Sequence, residues 1–172
     1  LNERSGELGK FSELNENINK VLMKLIESQN LCKYLYYDTT DPLSGSDISD
    51  TTSLLYDKVF PYPTPISVFK DADGIPTASS IINVFFDNYT LGKTNNKFKN
   101  GKLVIRVICH MDLWKLDTSQ LRPYCILNEI DEIFNEQRVV GIGKGEFESC
   151  RLILEDENYS GYALVYKDYE FA

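Results

Sequence analysis

Two segments, "SSIINVFFDNYTL" (79–91) and "KLVIRVICH" (102–110), narrow the possible folds more than anything else in the chain. Successive side chains of a strand point to opposite faces. In the first segment Ile82, Val84 and Phe86 share one face, and Ile81, Phe85 and Tyr89 share the other. In the second, Leu103, Ile105, Val107 and Cys109 oppose Val104, Arg106, Ile108 and His110. Both strands are apolar on both sides. A sheet built on them needs a helix layer over one face and some other surface over the second.

Candidates for the helix layer are present. Leu14, Ile18, Val21, Leu22, Leu25 and Ile26 recur at helical spacing from about Ser12, which predicts an N-terminal helix with one apolar face. "NLCKYLYYD" (30–38) reads as a short helix after a break at Asn30. After Pro123, a good first-turn residue, "YCILNEIDEIFNEQ" carries the buried stripe Ile126, Leu127, Ile130, Ile133 and Phe134. Two closing strands, "ESCRLILE" and "YSGYALVYKDYEF", flank the turn "DENYSG", and "ISVF" (66–69) is expected to be a strand paired across Asp73-Gly74. The expected class is α+β: an antiparallel or mixed β-sheet with the N-terminal helix and a second helix packed on one face. One domain spans 1–172, with 1–11 expected to be flexible. The turn-rich 39–65 stretch, containing "TTDPLSGSDISDTT", is a long loop and a candidate docking surface.

The stretch "CHMDLWKLDTSQLRPY" (109–124) gathers the single histidine and the single tryptophan with Asp112, Asp117, Thr118, Ser119 and Arg122. A histidine mechanism needs an orienting partner and a nucleophile or water in reach. No G-x-S-x-G elbow accompanies His110, and a histidine ending a strand more often packs or bonds locally. The expectation is a structural corner and no enzyme. Glu129, Glu132 and Glu136 share a helix face but lack the Glu-x-x-His partners of carboxylate metal sites, so they read as solvated. "DADG" (71–74) misses the register of a calcium loop and reads as a turn. "GIGKG" (141–145) lacks the Walker spacing and precedes a strand. No cofactor and no metal is expected. Cys32, Cys109, Cys125 and Cys150 show no metal-like or paired spacing, which predicts reduced thiols.

With 26 acidic and 18 basic side chains the chain carries a net charge of −8. Binding to phosphate backbones draws on clustered Lys and Arg. A dedicated nucleic-acid binder is therefore not expected, although Lys93, Lys97, Lys99 and Lys102 form one local basic cluster. No window approaches a membrane span and no signal peptide opens the sequence, which points to synthesis in a cytoplasm and no membrane partner. Eleven tyrosines suit a protein that meets other proteins.

The segments "CKYLYYDTTDPLS", "IINVFFDNYTLG", "FKNGKLVIRVICHMDLW" and "LRPYCILNEIDEIFN" together resemble a family of tailed-phage neck and tail-completion proteins from phages of Gram-positive bacteria. The resemblance covers most of 14–172 and is most specific in "CHMDLW…LRPY…NEID". It implies a tail-terminator-like fold and a structural virion role in head–tail joining: a hexameric ring of the chain itself that caps the tail tube and meets the connector or neck proteins. Genome DNA would only pass through its lumen. The resemblance carries no catalytic residue. The chain is longer than compact terminators, and 39–65 is the extra material. Candidate interface residues are Tyr62, Lys93, Lys97, Lys99, Trp114 and Arg122. The alternatives are a head-completion (stopper) or other neck protein, and a hydrolase centred on His110.

Overall fold

A computed structural model describes residues 12–75, 77–91, 99–135, 138–139 and 143–171. The architecture is α+β, with three helices on one face of a five-stranded mixed sheet. Helix α1 (Ser12–Glu27) starts where the apolar periodicity predicted. It drives Val21, Leu22, Leu25 and Ile26 into the core. The break falls at Ser28, whose hydroxyl caps helix α2 (Gln29–Tyr36) by accepting the Leu31 N–H at 3.2 Å.

The 39–65 stretch is more ordered than its composition suggests. It holds two 3₁₀ turns, Pro42–Ser44 and Thr51–Leu54, and then a two-residue strand, β1 (Val59–Phe60). Side chains stand in for regular structure here. The Gln29 amide donates to the Ile48 carbonyl at 2.9 Å and accepts the Ile48 N–H at 3.0 Å. The Tyr37 hydroxyl donates to the Ser46 carbonyl at 3.0 Å, and Lys33 pairs with Asp47 at 2.8 Å. Strand β1 pairs in parallel with β2 (Ser80–Leu91), Val59 opposite Ile82.

"ISVF" is not a strand. Ile66–Val68 form a 3₁₀ turn, because Pro65 sets a turn-like φ of −63° and its carbonyl captures the Val68 N–H. Ile66 and Phe69 pack instead against Phe60, Ile81, Ile108 and Tyr159. The turn expected at Asp73-Gly74 is present. The Asp71 carboxylate accepts the Asp73 and Ile75 N–H groups at 2.9 Å, and Gly74 supplies φ 77°.

Strand β3 (Lys99–His110) lies antiparallel to β2. Helix α3 (Arg122–Phe134) follows with Pro123 in its first turn. A small pair, β4 (Arg138–Val139) and β5 (Gly143–Lys144), precedes β6 (Glu146–Leu154) and β7 (Tyr159–Phe171). The closing turn is confined to residues 155–158, because Tyr159, Ser160 and Gly161 of "DENYSG" already belong to β7. The sheet order is β1-β2-β3-β7-β6, so the last strand made lies beside β3. Of the sequence features named above, 1–11, Lys93, Lys97, Glu136 and part of "GIGKG" lie outside the described residues.

The helices cover one face of the sheet. Ile82, Val84, Leu103, Ile105, Val107, Cys109, Leu164 and Tyr166 meet Val21, Leu25, Leu31, Ile126, Ile130 and Phe134 in one cluster. Among the described residues the opposite face is covered only at one end, by the Phe60–Phe69 segment and Tyr159 over Ile81 and Ile108.

All four cysteines are free, with Cys32 and Cys109 buried and Cys150 exposed. Burial pushes the Cys32 thiol up to about 11 and the Cys109 thiol to about 12. The thiolate is the reactive form. Iodoacetamide at pH 8 should therefore leave Cys32 and Cys109 untouched in the folded protein and modify the accessible Cys125 and Cys150, with all four reacting in denaturant. Peptide mass spectrometry reads the order; early labelling of Cys109 would contradict this packing.

Candidate functional site

The corner between β3 and α3 is built by hydrogen bonds that consume its polar groups. His110 is only 7% exposed and caps the 3₁₀ turn Met111–Leu113. Its Nδ1 accepts the Asp112 N–H at 3.2 Å, with the Asp112 carboxylate 3.6 Å from the same nitrogen. The imidazole stands edge-on to Tyr159, ring centroids 5.0 Å apart. The Asp117 N–H donates to the Thr40 carbonyl, and Thr118 bonds Gln120 at 3.3 Å. Ser119 holds a left-handed φ of 62° within the turn that leads into α3. The Thr118 hydroxyl thus serves its own turn, the Asp117 backbone holds the long loop, and none of these bonds joins Asp117, Thr118 or Ser119 to His110.

Trp114, a candidate interface residue, is half-buried. Its indole N–H donates to the Cys109 carbonyl at 3.3 Å, and its ring lies 6.3 Å from that of Tyr162. Arg122 corrects an expectation. It is not a surface residue but 0% exposed. Its Nε donates to the Leu113 carbonyl at 2.9 Å, and Nη1 to those of Tyr34 at 2.6 Å and Tyr37 at 2.9 Å. Nη2 donates to the Thr39 carbonyl. One guanidinium thereby ties the end of α2, the start of the long loop and the β3–α3 corner. Burial lowers its pKa from the ordinary arginine value. Glu129 is likewise structural: it accepts from Ser28 at 3.0 Å and Asn30 at 3.3 Å, joining α3 to the α1–α2 break. Tyr62 is 46% exposed, beside Phe60, and Lys99 opens β3.

The surfaces left free of internal partners lie elsewhere. The helix layer stops over β7, so residues of β6 on that side remain wet. Leu152 is 54% exposed and Leu154 76%. Among the described residues the outer edge of β6 pairs with nothing. Beside it Tyr124 and Tyr162 join hydroxyls at 2.8 Å. A cleft of about 640 Å³ runs between α2 and α3, lined by Tyr34, Tyr124, Cys125 and Glu129.

On the opposite face the uncovered end of the sheet forms a recess of about 460 Å³. Its floor is Val104, Ala163 and Val165, and its walls include Arg106, Arg151 and the Lys102–Glu148 pair, 2.8 Å apart. Register explains it. Arg106 on β3 and Arg151 on β6 both lie opposite Ala163 on β7, so two guanidiniums flank one small residue. Arg106 also pairs with Glu155. Sequence reading missed this recess. Alternation marked Arg106 as facing away from Leu103 and Ile105, but only the pairing of β7 with both neighbours brings Arg151 beside it.

At the other end of the sheet, Tyr56 precedes β1 with a left-handed φ of 62° and is 60% exposed. Its N–H donates to the Val59 carbonyl at 2.9 Å. Among the described residues, no three His, Cys, Asp or Glu side chains form a metal-holding group, and no helix is long and apolar enough to cross a membrane.

Comparison with known proteins bears on this scaffold. No curated protein matches the chain. A family model does, from the cap of α2 into β7: residues 28–167 match YomW. The chain belongs to the YomW family, which carries the name of a Bacillus phage-derived gene.

Proposed function

We propose that this chain is a structural protein of the phage neck, a tail-terminator or tail-completion subunit that forms a ring with its own copies and joins the tail tube to the head–tail connector. The observation that carries this reading is that the sheet ends in two unlike surfaces. At one end stand β1 and the acidic 41–57 loop with exposed Tyr56; at the other, β6, whose outer edge is unpaired among the described residues, with exposed Leu152 and Leu154. A two-fold dimer needs one self-complementary patch, whereas unlike surfaces make head-to-tail contacts, which form a ring when the rotation between copies closes. The phage-derived family and the resemblance to neck proteins point the same way.

The subunit works by docking, without turnover. The hexameric copy number and a place in the virion, after synthesis in the host cytoplasm, come from the resemblance. A chain of charge −8 suits a lumen that repels DNA phosphate and lets the genome pass. A pore lined mainly by Lys93, Lys97 and Lys99 would contradict that lumen. Native mass spectrometry of the purified protein, alone and mixed with tail tubes, tests the ring: a closed oligomer is expected, and a monomer that persists beside tail tubes would refute the reading.

A further inference from the structure

A partner for the recess on the open sheet face can be read from what it leaves unsatisfied. Arg106 and Lys102 have carboxylate partners, but among the described residues Arg151 has no ion pair. Burial lowers the Arg106 guanidinium from its ordinary pKa, and the like charge of Arg151 adds to that effect. Glu148 accepts from Lys102 through Oε1, while its Oε2 is buried and has no hydrogen-bond partner. The recess therefore offers an apolar floor and, at its walls, the Arg151 cation, with the exposed Asp87 carboxylate on the far side; Glu148 Oε2 is enclosed and out of a partner's reach. It suits an aromatic group next to a carboxylate that meets Arg151.

The same chain presents that combination at the far end of its sheet. Tyr56 and Asp57 are both exposed, and among the described residues Asp57 makes no ion pair. A left-handed backbone is unfavourable for a bulky residue. At Tyr56 it holds out a ring which stays mostly in solvent. Strain of this kind collects where a side chain must be presented. Buried tyrosines and arginines are also the residues that most often anchor interfaces.

We propose that the recess seats Tyr56 and Asp57 of a second copy of this chain, with the ring over Val104, Ala163 and Val165 and the carboxylate pairing with Arg151. This contact rests on the ring reading and supplies its head-to-tail joint. Each copy gives a tyrosine from one end of its sheet and receives one over β3, β7 and β6.

The test follows oligomeric state by native mass spectrometry and size exclusion, with circular dichroism as a check of folding. Arg151→Glu and Asp57→Arg should each weaken association at least tenfold. The double variant, which exchanges the charges, should recover it to within about threefold. Tyr56→Gly should abolish association while leaving the melting temperature unchanged or raised, because glycine accepts φ 62° without strain. A wild type that never leaves the monomer, even beside tail tubes, overturns both the ring and this contact. A ring that survives the single variants overturns the contact and leaves the ring reading standing. Single losses without recovery in the double variant overturn the Asp57–Arg151 pairing.

Discussion

Replacing Arg122 with alanine should cost about 3–5 kcal/mol of stability, the range seen when one member of a buried charged network is removed. The reason is the number of groups left behind. Four carbonyls, from Leu113, Tyr34, Tyr37 and Thr39, take their hydrogen bonds from this one side chain. No other residue replaces them, and a volume-matched Arg122→Met would fill the hole without donating a single bond. A domain of this size loses roughly 2–4 °C of melting temperature per kcal/mol. Thermal melts of Arg122→Ala should therefore fall by about 6–20 °C. Arg122→Lys keeps the charge but loses the planar fork, and should fall between the two. A melt within 2 °C of wild type for Arg122→Ala would mean that the guanidinium is not the tie described here.

Gly161→Ala should be nearly as damaging, at about 3 kcal/mol, the upper end of overpacking costs. A Cβ at Gly161 would fall inside the Val107 carbonyl oxygen, 2.8 Å from its carbon and 3.0 Å from the Ile108 Cα. These are backbone atoms of β3, so no rotamer change relieves the clash. Gly161 lies opposite Ile108 on one side and Ile153 on the other, so both ladders of β7 would feel the shift. Gly74→Ala serves as the control. Gly74 needs φ 77°, but a Cβ there meets nothing within 4 Å. It should cost only about 1 kcal/mol, from backbone strain alone. Equal losses from the two variants in denaturant titrations would contradict the close approach of β3 and β7.

The sheet and its helix layer were readable because burial on a face leaves a period in the sequence. Ile82 and Val84, or Leu103, Ile105 and Val107, mark the helix side by alternation alone, and α1 and α3 begin within a residue or two of their apolar onset. What stayed hidden has no period. Strand β1 is two residues long and pairs in parallel, so nothing distinguished Val59 and Phe60 from the loop around them. "ISVF" has strand composition, yet Pro65 and the bond to its carbonyl wind it into a 3₁₀ turn. Arg122 reads as an interface candidate in the sequence, since arginine is seldom fully buried. Its burial depends on carbonyls from residues 34, 37 and 39, more than eighty positions away. The recess is hidden for a related reason: Arg106, Glu148 and Arg151 meet through strand register, which no local window contains.

The place of β7 in the sheet has a consequence for how the chain is made. The central strand β3 is synthesised before its second neighbour β7, with α3 and β6 made between them. Lys99 pairs with Phe171 and His110 with Tyr159, so closing this ladder joins residues about fifty to seventy positions apart. Until then the nascent protein holds β3 as an open, apolar edge, the kind of surface on which unfinished chains pair with each other. The core closes only once β7 has been made. A truncation that removes β7 takes away the middle of the sheet rather than its rim, because β7 lies between β3 and β6.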